Sequence, residues 1–160
     1  MNTELIGYFA AEKSGALILL GMGVGALAVS GWLWRRKSAF IAAAWPLVIL
    51  GVFELIIGTA IALRTPNQVQ QLQNALANKP AVAASEELVR MERVNANFRI
   101  VKLVEIVVIG FGVAAVLVFP LASTWSSVGV GCVAQGVALF VFDSFAHHRA
   151  EIYVLWLQSL

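Results

Sequence analysis

Residues 86–119 read EELVRMERVNANFRIVKLVEIVVIGFGVAAVLVF, and how this stretch is read decides the fold. Its second part, from about Ile100, stays apolar for about twenty residues, the length a helix needs to cross a bilayer. Its first part is charged, yet Leu88, Met91, Val94 and Phe98 recur at the spacing of one helix face. Nothing breaks that stripe before the apolar run begins. The stretch therefore predicts one helix from about Glu86 to Phe119, roughly 50 Å long at 1.5 Å per residue, whose first third projects from the membrane. Ser85 suits its N-cap, and Glu86 and Glu87 suit the positive end of the helix dipole.

Working outward, three more apolar runs have spanning length. Together with 100–122 the expected spans are 15–34, 39–63 and 128–145. The chain is 60% hydrophobic and only 12% charged, whereas a soluble domain carries about 25% charged residues. Trp32, Trp34 and Trp125 fall at span ends that share one membrane face, as an aromatic belt would. The first span ends at Trp34 and the cluster Arg35-Arg36-Lys37 rather than at a small-residue cleavage site, so no signal peptide is expected.

Short links join spans one and two, and three and four, so each pair is expected to form an antiparallel hairpin. Between the pairs lies a connection over 65–99. There Thr65 and Pro66 read as cap and first residue of a short helix around Gln68–Ala77, carrying Val69, Leu72 and Leu76 on one side. The fourth helix is expected to continue through 146–160, since Asp143, His147 and Glu151 repeat at four-residue intervals on one face. The expected architecture is thus an all-α integral membrane protein. It is one domain over 1–160, with four transmembrane helices as two hairpins and helices three and four extended into a small helical cap. If the source is bacterial, its place is the inner membrane. A Lys/Arg count gives eight basic residues on the side of the long connection against three on the other, while the flanks of the first helix alone favour the opposite orientation.

Ionisable side chains inside apolar spans are costly and usually face the bundle interior. Glu54, Lys102, Glu105, Asp143 and His147 fall in the half of the membrane nearer the long connection, which makes them the candidate ion, proton or polar-core group. Two carboxylates at one depth suit a cation or a shared proton. With imidazole added, Glu54, Glu105, Asp143 and His147 could serve a divalent metal, although no HExxH or paired ExxH signature is present and no cofactor is required. The alternative is that Lys102 with an acid, or Asp143 with Arg99, fixes helix register.

Arg93-Val94-Asn95-Ala96-Asn97 resembles a fragment of the glutathione-binding Arg-x-x-x-Asn-x-x-Glu of the MAPEG enzymes. Here Ile100 stands where that motif has its glutamate, and the fragment precedes the third span instead of the second, so membership does not follow. Serines lack a base-and-orienter constellation, and no dense basic tract suits nucleic acid. The functional expectation is non-enzymatic: an accessory subunit or immunity-type protein that binds another protein through the cap, with Arg90, Arg93 and Asn97 as contacts. The alternative is a cation or proton translocator, or a metal-binding protein, using Glu54 and Glu105. Beyond the lipid bilayer, the expected partner is another protein or a second copy. Gly21, Gly25, Cys132 and Gly136 supply small faces for close helix approach. Cys132, alone in an apolar run, can form no internal disulfide.

Overall fold

The computed structural model describes residues 2–121 and 123–159, almost all of them helical. Helix α1 spans Asn2–Arg36, α2 Ala44–Asn78, α3 Pro80–Val118 and α4 Thr124–Leu157, with a 3-10 turn at Ile41–Ala43. All four helices are long and apolar enough to cross a membrane, as an integral membrane protein requires. The shortest has 34 residues and the longest 39, so each reaches roughly 50 to 60 Å. A hydrocarbon layer is only about 30 Å thick.

The packing follows a heptad-like spacing. Along α1 the buried positions include Leu5, Phe9, Ala16, Leu19, Gly23, Ala26, Ser30 and Leu33, with half-buried Glu12 completing an alternation of four and three. Along α2 the same steps give Ala44, Leu47, Gly51, Glu54, Gly58 and Thr65. This is the pattern of helices crossing at a shallow angle with interdigitating side chains. Two glycine pairs bring backbones close. A Cβ on Gly23 would stand 2.7 Å from the Gly51 carbonyl oxygen, and one on Gly112 would stand 2.7 Å from that of Gly129. The first pair joins α1 to α2 and the second joins α3 to α4. Arg64 reaches Glu12 at 3.1 Å, and Ser30 donates to the Ala44 carbonyl at 3.3 Å, two polar links along the α1–α2 contact. The two helix pairs meet mainly through α4, where Gly131 lies against Ala43 and Pro46 and Ser127 donates to the Ala39 carbonyl.

Three boundaries depart from the sequence expectation. Helix α2 does not stop at Thr65-Pro66; it runs through to Asn78 with Pro66 inside it. An internal proline costs about 3 kcal/mol of helix. Here Leu76, with Val69 and Leu72, packs on Leu5, Phe9 and Ala83, and that burial carries the helix onward. The Thr65 hydroxyl does not cap a new helix but donates back to the Ile61 carbonyl at 2.7 Å. Second, α3 begins at Pro80 instead of Glu86. Proline fits a first helical position, where its missing N–H leaves nothing unsatisfied, and the Ser85 hydroxyl bonds the Val82 carbonyl within the helix. Only Lys79 lies outside the helices between α2 and α3. Third, α1 begins at Asn2, thirteen residues before the expected span, because Leu5 and Phe9 continue its buried face.

Helix α4 is continuous from Thr124 to Leu157, with the Ser123 hydroxyl accepting from the Ser126 N–H at its start. At its far end Tyr153 stacks on Tyr8 of α1, with ring centroids 4.1 Å apart and nearly parallel, and on Trp156 at 5.5 Å. Met91, Ala150, Tyr153 and Leu157 are buried there together. At the opposite end of the bundle Trp32, Trp34, Trp45 and Trp125 are exposed.

Candidate functional site

The heptad-like pattern turns particular polar residues inward. On α3 the buried positions include Glu87, Met91, Glu105, Gly112 and Ala115. On α4 they include Ser126, Gly129, Gln135, Gly136, His147, Ala150 and Tyr153. Buried acids therefore sit where a soluble bundle would place leucine.

Glu105 is 5% exposed, and neither of its carboxylate oxygens has a hydrogen-bond donor. The Asp143 carboxyl lies against it from α4, within hydrogen-bonding reach. Two carboxylates can only accept, so the contact becomes a bond when one of them holds a proton. Toward the Tyr8–Tyr153 end, one turn along both helices, Lys102 Nζ stands 2.7 Å from His147 Nδ1. That contact requires an imidazole whose Nδ1 accepts, with its proton on Nε2. Nε2 faces Glu151 Oε1 at 3.7 Å, and the Phe98 ring stacks on the imidazole at 5.4 Å. The order from interior to surface is Glu105 with Asp143, then Lys102 with His147, then exposed Glu151.

Glu54 is the deepest acid, 2% exposed. Its Oε1 accepts from the Gln135 side-chain amide of α4, and its Oε2 is buried without a donor. Gln135 and Asp143 are eight residues apart on α4, about 12 Å along the axis. Glu54 and Glu105 are thus held by different partners at different levels. Among the described residues no three His, Cys, Asp or Glu side chains gather closely enough to hold a metal.

The proposed partner-binding residues separate. Arg93 and Asn97 are exposed on α3. Arg90 instead turns back to Glu87, with Nε and Nη2 each 2.7 Å from a carboxylate oxygen, and its guanidinium lies over Phe9 at 6.0 Å. The Tyr153 hydroxyl adds a third bond to Glu87 at 3.3 Å. Of the small residues, Cys132 is buried and a Cβ on Gly136 would touch Ile109 of α3. Gly21 and Gly25 face outward, where an added Cβ would meet nothing within 4 Å.

Sequence reasoning missed Gln135 and the Glu87–Arg90–Tyr153 group. Gln135 could have been found, since an amide amid GCVAQGVALF is itself a polar residue in a span. The Glu87–Arg90 spacing of three was also visible. The arrival of Tyr153 from α4 and Tyr8 from α1 had no local signal.

No family model matches the chain, and neither the curated proteins nor the solved structures compared with it contain a match.

Proposed function

We propose that this chain is a small membrane translocator that binds and releases a proton or cation at the Glu105–Asp143 pair. One observation carries the reading: a buried glutamate with no donor on either oxygen, facing a second acid. Holding both as bare carboxylates in a low-dielectric interior costs several kcal/mol, so the stable form carries a proton or a cation. Lys102, His147 and Glu151 then form the approach from the end near Tyr153. Gln135 with Glu54, and Ser126 and Ser127 beyond them, continue polar groups along the inward side of α4 toward the tryptophan end. In this reading the helix pairs sit in the bilayer as two hairpins, with the Tyr8–Tyr153 end projecting as the cap and the tryptophans at the opposite interface.

The test uses purified protein in vesicles enclosing a pH-sensitive dye. An imposed potential should drive proton flux, or in parallel vesicles enclosing a sodium-sensitive dye a cation flux, in the parent and none above background in Glu105→Gln, which keeps shape and removes charge. Equal flux in both would end the proposal.

A second reading, the accessory or immunity-type interaction protein, is favoured by a different observation. Arg93, Asn97, Val89, Ile152 and Leu155 are all exposed on the part of α3 and α4 assigned to the cap. Apolar side chains there suit a protein partner. Loss of a captured partner on Arg93→Glu, with flux unchanged, would support this reading over the first.

A further inference from the structure

Resting on the proton-or-cation reading of the Glu105–Asp143 pair, we infer that Lys102 is the selectivity element of that site. Its ammonium is a tethered counterion for the single negative charge that appears when the fully protonated pair gives up one proton, so that an alkali cation is not taken up in its place.

The geometry is specific. Lys102 lies three residues before Glu105 on α3, and His147 four residues after Asp143 on α4. The two helices pack side by side, so ammonium and imidazole form a layer one turn from the two carboxyls. Among the described residues the ammonium meets no carboxylate within 4 Å; its close contact is His147 Nδ1, a neutral nitrogen, at 2.7 Å. Its charge is therefore not committed to any acid. Both members of the pair are nevertheless close enough to feel it. The other charged groups bearing on His147 are Glu151 and Arg99. From α2 the acid facing α4 is Glu54, two turns away and held by Gln135.

A lysine stem is long and freely rotating, and its ammonium is a compact donor. Moving from His147 to the carboxyls requires about one helical turn, roughly 5 Å. Once there, it supplies the positive charge that a sodium or potassium ion would otherwise bring. A further cation would meet a neutralised site in a low dielectric, where excess charge is costly. A proton is still accepted, because protonating an acid sends the ammonium back to the imidazole. The site thus exchanges protons against its own lysine.

The experiment uses dicyclohexylcarbodiimide, which adds to protonated carboxyls in apolar surroundings, with labelling located by peptide mass spectrometry. Rates at Glu105 are compared in sodium chloride and choline chloride at equal ionic strength, with Glu54 as an internal reference. In the parent protein the rate at Glu105 should be the same in both salts. In Lys102→Met and Lys102→Gln sodium should slow it several-fold, and in Lys102→Arg, which keeps the charge, insensitivity should return. Lys102→Gln keeps a hydrogen-bonding group for His147 and serves if the methionine variant does not fold. Sodium protection in the parent overturns the inference, and so does insensitivity in both neutral variants with Glu105 still labelled; both outcomes leave the protonatable pair standing. No labelling of Glu105 in any form removes the underlying proton reading, and the inference with it.

Discussion

Glu87 and Glu105 stand on the same face of α3, eighteen residues or five turns apart, and both are buried. Their surroundings are opposite. Glu87 receives two bonds from Arg90 and one from Tyr153, so its charge is matched and both oxygens are used. Glu105 receives no donor and faces a second acid. The first arrangement binds helices together and leaves nothing to exchange. In the proposed reading the second holds a mobile positive species, a proton or a cation. Burial of an acid therefore says little about its role; the sign and the fixity of what meets it say more.

That contrast can be broken most sharply at Arg90. Arg90→Ala strands Glu87 in the interior with one hydroxyl, and should cost about 3 kcal/mol of stability, the scale for opening a buried ion pair. Thermal unfolding in detergent would show it, and an unchanged midpoint would refute the structural assignment of Glu87. Next in size, Tyr153→Phe removes one bond to the same carboxylate and should cost about 1 kcal/mol by the same measurement. Glu105→Gln should do the reverse of Arg90→Ala, holding stability within about 1 kcal/mol while abolishing flux and carbodiimide labelling at that site. If it instead unfolded the protein, Glu105 would belong with Glu87. Glu54→Gln should be milder still. An amide can go on bonding Gln135, so a shift under about 1 kcal/mol is expected, with labelling at Glu105 unaltered. A large drop in Glu105 labelling would join the two levels into one site. The smallest effect belongs to Arg93→Glu, an exposed change that should stay within about 0.5 kcal/mol in unfolding experiments.

The spans were legible because apolar length is a direct physical requirement of the bilayer, and the alternation of four and three fixed which residues turn inward. Glu54, Glu105 and His147 fall on buried positions of that pattern, so their inward placement could be read from α2, α3 and α4 alone. Their partners could not. Glu54 is the same residue type at the same kind of position as Glu105, and only the side-by-side register of α2 on α4 gives it Gln135. Pro66 was misread for a related reason. Proline is a local signal for a helix boundary, and here the contacts among Leu5, Phe9, Leu76 and Ala83 override it. Arg90 looked like a surface contact because nothing in its neighbourhood announces Tyr8, Phe9 and Tyr153 arriving from two other helices.

The distribution of tryptophan has a mechanical consequence. Four of the five, Trp32, Trp34, Trp45 and Trp125, are exposed at one end, and Trp156 alone lies at the other. Such side chains hold to the lipid headgroup level. In the proposed orientation the molecule is moored at one interface and free to ride at the opposite one. Variation in lipid thickness is then taken up near Lys102 and His147. In long-chain lipids that layer would sink into hydrocarbon and in short-chain lipids it would stand in water, so bilayer thickness would set how readily Glu105 exchanges with the outside. Glu105 labelling compared in short- and long-chain phosphatidylcholine vesicles would read the dependence, and equal rates would place the mooring elsewhere.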